Sequence, residues 1–182
     1  MPCSASRRCS HPTVRPDDQI LALQLGRPPR GRWRVVSRCS WGSPRAIAVA
    51  PVLEDGELFP TTFWLVCPHL VAAVHASESS GESAVWSHRL AMDAEFASEA
   101  LAADSAYRAA RRGEGGGVDP CPNVGIAGQT DPLIVKCLHA RLAASLAGVL
   151  DPVGERVLEQ LANHPGLECE NDDCGRLGAA SD

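Results

Sequence analysis

The stretch TTFWLVCPHLVAAV, residues 61–74, changes its period halfway along. Thr61–Cys67 is rich in β-branched and aromatic residues and reads as a strand. Beyond it, Leu70, Val71 and Val74 recur at helical spacing, and Pro68 suits the first turn of a helix. The chain therefore leaves a sheet at Cys67 and enters a helix at Pro68.

Upstream of this junction, Trp33–Cys39 reads as a strand centred on Val35 and Val36. Trp41-Gly42-Ser43-Pro44 is a turn, and Arg45–Leu53 a second strand. Asp55-Gly56 is a hairpin signal that returns the chain to Thr61. The three strands make an antiparallel meander. Before them, Asp17 or Asp18 caps a short helix through Leu25, stopped by Gly26, and Pro28-Pro29 keeps the next stretch extended.

Downstream, Ser79-Ser80-Gly81 breaks the helix that began at Pro68. Glu82–Arg112 is helical again, with Met92-Asp93 as its weak point and Val85, Leu90, Phe96, Leu101 and Tyr107 as expected buried residues. Gly113–Pro122 is a glycine-rich linker. Asp131-Pro132 should open a helix whose stripe is Val135, Leu138, Leu142, Leu146 and Val149, packed on the sheet. Asp151-Pro152 opens a last helix to about Asn163. The expected fold is α+β, a small antiparallel β-meander packed against four to five helices. It spans residues 17–163 as one domain, between a disordered tail at 1–16 and a flexible acidic tail at 164–182.

Composition narrows the function. The formal net charge of −5 makes bulk nucleic-acid affinity unfavourable. Residues 1–45 nevertheless carry nine arginines against Asp17 and Asp18, a local excess of about seven positive charges. No apolar run nears the ~20 residues that span a bilayer, and no apolar stretch follows Arg7 and Arg8 as a secretory signal would require. The expected location is the cytoplasm, without membrane insertion and with room for a protein partner. There the eight cysteines read as thiols or metal ligands, not disulfides.

Three constellations can carry chemistry. Cys39, Cys67, His69, Cys137 and His139 form a metal-ligand set containing two Cys-x-His units, suited to zinc or, through the thiolates, an iron–sulfur cluster. Residues 137 and 139 lie about 200° apart on an ideal helix, so they share one ion only if that helix starts later than Asp131-Pro132. Second, Cys67 at a helix N-terminus is a candidate nucleophile with His69 or His139 as its base. Third, Arg27, Arg30, Arg32 and Arg34, with Arg38, offer anion contacts, and Gly125-Ile126-Ala127-Gly128 offers backbone N–H groups to a phosphate. Cys169 and Cys174, like Cys3, Cys9 and His11, fall in expected tails and carry no weight at this level.

Several segments together resemble a bacterial family known as domain of unknown function 501. They are Gln24–Arg30, Arg38-Cys39 with Gly42 and Pro44, Phe59–Pro68, Gly125–Gly128, Lys136–Ala140 and Pro152–Gly154, in the family's order. The resemblance implies an intracellular bacterial protein and brings no activity with it. The family often carries a second Cys two residues after the first, where this chain has Trp41. Three readings stay open: a metal- or thiol-containing regulatory or scaffolding protein, a thiol-dependent enzyme using Cys67, and a phosphate- or nucleic-acid-binding module using the arginine stretch.

Overall fold

The computed structural model describes residues 17–162, 169 and 172–176. The expected disorder of residues 1–16 lies outside them. Three strands, β1 (Trp33–Arg38), β2 (Pro44–Val49) and β3 (Phe63–Leu65), form an antiparallel sheet in the order β1-β2-β3. Helix α1 (Asp17–Leu25) precedes it, and α2 (Pro68–Ser79) follows with Cys67 as its N-cap and Pro68 in its first turn. Then come α3 (Glu82–Met92), α4 (Ala94–Glu114), a 3₁₀ turn (Ile126–Gly128), α5 (Leu138–Leu146), α6 (Pro152–Ala162) and the short α7 (Asp173–Arg176). The architecture is α+β, as the strand-to-helix junction at Cys67 indicates.

Strand alternation sorts side chains onto two faces. Ala48, Phe63 and Leu65 join the main core with Val74, Leu90, Tyr107, Leu138 and Leu142. Ile47 and Val49 point the other way, where Leu21 of α1 and Val66 close a second, smaller cluster. Both faces are therefore covered, and the strands are shorter than their sequence signals: Arg45–Leu53 and Thr61–Cys67 contract to β2 and β3. A bulge between Val35 and Arg38 ends the regular register of β1.

The long helical stretch divides at Asp93, whose carboxylate accepts the Phe96 N–H at 3.0 Å and caps α4. Trp86, not Val85, faces the core, and Ala100, not Leu101, continues the stripe of Phe96, Ala103 and Tyr107. Val85 and Leu101 are exposed. Small alanines at the crossing let α4 approach, so the largest side chain nearby is a poor guide to the buried one. Tyr107 ties α4 to the sheet by accepting the Thr62 N–H at 2.8 Å.

The helix expected from Asp131-Pro132 begins instead at Leu138. Residues 131–137 spend their backbone groups elsewhere. Asp131 Oδ1 accepts the Leu133 N–H at 2.9 Å, Val135 N–H donates to Ser87 Oγ at 2.9 Å, and the Pro132 carbonyl accepts from Arg141 at 2.7 Å. Leu138, Leu142 and Leu146 keep the helical stripe, while Val135 and Val149 pack from its flanks.

Asp151 caps α6 through the Gly154 N–H at 2.7 Å. At Gly154 this helix touches α5: a Cβ there would collide with the Arg141 carbonyl and Ser145 Oγ. Gly154→Ala should cost about 1–3 kcal/mol, read as a lower urea midpoint with unchanged slope. An unchanged midpoint would show that the two helices separate freely.

Candidate functional site

The late start of α5 decides the geometry of its Cys-x-His unit. Cys137 is the N-cap, with extended backbone angles (φ −147°, ψ 115°), so it is not on the helical spiral that would have set it opposite His139. Both side chains turn toward Glu78 near the C-terminus of α2. The Cys137 sulfur, a His139 ring nitrogen and a Glu78 carboxylate oxygen all lie within 4.8 Å of one another. Glu78 is not among the candidate ligands that the sequence singles out, since it stands 59 residues from Cys137.

Each member of this trio is held in place. Glu78 Oε1 accepts the Leu138 N–H at 2.6 Å, so its charge sits at the positive end of α5. Glu78 Oε2 is 3.1 Å from His139 Nδ1. His139 Nε2 lies 3.2 Å from the Val71 carbonyl oxygen, which can only accept. Both ring nitrogens thus face acceptors, which favours the imidazolium. The His139 pKa is pushed up to about 9, first by the Cys137 sulfur beside it; burial opposes this and Glu78 adds to it. For Glu78, burial is the largest influence and would raise its carboxyl. The Leu138 N–H, His139 and Cys137 outweigh it and hold the group below the usual carboxylate value.

Cys137 and His139 line a cleft of about 500 Å³ between the sheet and α2, walled by Phe63, Leu65, Val71 and Ala140. The walls are mainly apolar, and Cys137 and His139 stand at one side, bringing Glu78 to its edge. That is the usual make-up of a small-molecule site.

A second group gathers at the end of the sheet that carries the Cys39 turn. His69, Cys169 and Asp173 place one ligand atom each within 4.8 Å of one another, and His69 Nε2 is 3.1 Å from Asp173 Oδ2. Cys67 caps α2 two residues before His69 and is 6% exposed. Burial first, then the neighbouring thiols of Cys67, Cys174 and Cys39, push the Cys169 thiol up to about 11. The five expected metal ligands are therefore shared between two places: Cys39, Cys67 and His69 here, Cys137 and His139 at the cleft.

Arg30, Arg34 and Arg38 of the arginine stretch are paired with carboxylates. Arg30 reaches Asp55 and Glu57, Arg34 reaches Glu114, and Arg38 forks onto Asp17 at 2.6 and 2.9 Å. Arg27 bonds the adjacent Pro28 carbonyl, and Arg32 is exposed. The Gly125–Gly128 loop also turns inward: Ile126 N–H donates to Asp104 at 3.2 Å, and Gly125 N–H to the Gln129 carbonyl. A carboxylate of the chain itself stands where the sequence suggested a phosphate. Among the described residues, no helix is long and apolar enough to cross a membrane.

A family model described as a protein of unknown function (DUF501) matches residues 35–159. That span includes Glu78, Cys137 and His139 and stops short of Cys169 and Cys174. No curated protein and no solved structure matches the chain.

Proposed function

We propose that this chain, which belongs to the DUF501 family of unknown function, is a thiol-dependent enzyme whose nucleophile is Cys137. The observation that supports this most directly is the Cys137–His139–Glu78 trio at the edge of an apolar cleft. A nucleophile, a proton carrier and a third group orienting the carrier is the arrangement covalent catalysis uses. Cys137 stands at the N-terminus of α5 beside the His139 ring, with its sulfur on the cleft. The nucleophile suggested by sequence, Cys67, is buried, while Cys137 faces the cleft.

The substrate that fits is a small acyl compound with an apolar substituent. Its substituent lies along Phe63, Leu65 and Val71. The sulfur adds to the acyl carbon, and His139 gives its proton to the departing group. Water, deprotonated by the same ring, then releases the acyl group from sulfur.

The same three residues also support a second reading, a metal centre. Sulfur, nitrogen and carboxylate donors within 4.8 Å make three of four zinc ligands, with the cleft as the open position. In that case His139 Nδ1 binds the ion while Nε2–H holds the Val71 carbonyl.

Timed alkylation by iodoacetamide near neutral pH, followed site by site by mass spectrometry, separates the two. The enzyme reading expects Cys137 to react first, about tenfold slower in Glu78→Gln. The metal reading expects Cys137 to be protected until a chelator is added. Reaction at the rate of the urea-unfolded chain, unchanged by chelator, would sink both.

A further inference from the structure

His69 is about a hundred residues from Cys169 and Asp173, and three separate anchors set these side chains in place. His69 is in the first turn of α2, behind Pro68 and the extended Cys67 cap (φ −63°, ψ 119°). Cys169 is held through its backbone, whose carbonyl accepts from the Trp41 indole at 2.8 Å. Asp173 heads α7, which packs against α1. The residue after it, Cys174, is buried, and Gln24 Nε2 of α1 donates to its sulfur at 3.2 Å and to the Pro44 carbonyl at 2.9 Å. None of these anchors uses the side chains of His69, Cys169 or Asp173. A ring nitrogen, a sulfur and a carboxylate oxygen nevertheless meet, all within 4.8 Å of one another, with His69 Nε2 3.1 Å from Asp173 Oδ2.

We propose that His69, Cys169 and Asp173 bind one zinc ion, with water in the fourth position. Nitrogen and oxygen ligands at zinc distances around a tetrahedral ion lie about 3.3 Å apart, so the His69–Asp173 pair already has nearly the required spacing. The donor set selects the metal. Calcium and magnesium take oxygen ligands, and an iron–sulfur cluster needs several thiolates, whereas imidazole, thiolate and carboxylate are all ligands of zinc. The His69 and Asp173 side chains are 34% and 45% exposed, so the ion can enter from solvent and keep a water. On binding, the Cys169 thiol gives its proton to water, and His69 binds through Nε2 with its own proton on Nδ1. One thiolate and one carboxylate then balance the two charges of the ion. The hydrogen bond between His69 and Asp173, a weak tie at such exposure, gives way to bonds that fasten Cys169 and α7 to the start of α2.

This inference uses none of the residues proposed for catalysis, so either can fail alone. The test titrates zinc into the full chain, stripped of metal and kept reduced, against a coloured chelator. The Cys137→Ser chain should take up about one zinc, and zinc should raise its urea midpoint. Adding His69→Gln or Cys169→Ser should weaken that uptake at least about a hundredfold, the upper end of what losing a residue behind a ligand costs. Cobalt(II) in place of zinc should give tetrahedral d–d bands and a charge-transfer band of the strength of one thiolate. A folded Cys137→Ser chain that takes up neither ion overturns the proposal. So does a cobalt band of two or more thiolates, or uptake that survives both His69→Gln and Cys169→Ser. Should either of those variants fail to fold, the cobalt spectrum of the Cys137→Ser chain decides alone.

Discussion

Replacing Arg111 by Met should lower the unfolding free energy by about 3–5 kcal/mol, a large share of the roughly 5–15 kcal/mol that holds a domain folded. Arg111 is fully buried on α4, and its guanidinium forks onto Asp119 at 2.8 and 2.9 Å. It also donates to the carbonyls of Pro60, Cys121 and Val124, at 3.1, 2.6 and 2.6 Å. One side chain therefore ties the approach to β3 and the loop after α4 to a single point. Met fills the volume and makes none of these bonds. It takes one donor from each of three carbonyls and the counter-charge from Asp119, which keeps only the Cys121 N–H among the described residues, and that uncompensated charge is the largest part of the loss.

Two comparisons distinguish this from simple loss of packing. Arg111→Lys should recover little, because an ammonium cannot fork onto Asp119 and reach the carbonyls too. Adding Asp119→Leu to Arg111→Met should recover part of the loss, since no charge is then stranded. Urea titration gives all three values. A loss under about 1 kcal/mol for Arg111→Met would show that water reaches the loop and that the network is not closed.

What the sequence made legible was local. The strand-to-helix junction at Cys67-Pro68, the Asp151 cap and the break at Asp93 each depend on a few adjacent residues, and each stands where its chemistry puts it. The start of α5 was misplaced because Asp131-Pro132 is a sound local signal defeated by distant partners. Glu78, 60 residues away, takes the Leu138 N–H, and Ser87, 48 away, takes that of Val135. The candidate site hung on that misplacement. The separation of about 200° between Cys137 and His139 holds only while both are helical, and an extended N-cap removes it. Two buried arginines, Arg111 and Arg141, were invisible for the same reason. Their partners Asp119 and Asp151 look in sequence like loop and cap residues, and only the fold makes them counter-charges. Cys169 and Cys174 belong to a segment without periodicity; the Gln24–Cys174 bond spans 150 residues.

The stability of the chain should fall between about pH 6.5 and pH 9, and His139 should be the cause. Its folded-state pKa is raised to about 9, from 6.5 in a free side chain. A base that holds its proton more tightly when folded stabilises the fold fully below its unfolded pKa. That contribution shrinks as pH rises and is gone above the folded value. The whole amount is about 3 kcal/mol. Urea midpoints measured across this range should decline for the parent and stay nearly level for His139→Gln. Glu78→Gln removes the paired carboxylate and should recover only part of the parent's slope, since Cys137 is the larger cause. Cys169 also lowers stability in alkali, because its folded thiol is raised and the unfolded chain ionises first. Its window opens only near pH 9, where that of His139 closes. The difference between parent and His139→Gln therefore isolates the trio. If the two curves run parallel from pH 6 to 9, His139 titrates alike in the folded and unfolded chain, and the raised imidazolium that the proposed thiol chemistry uses is not there.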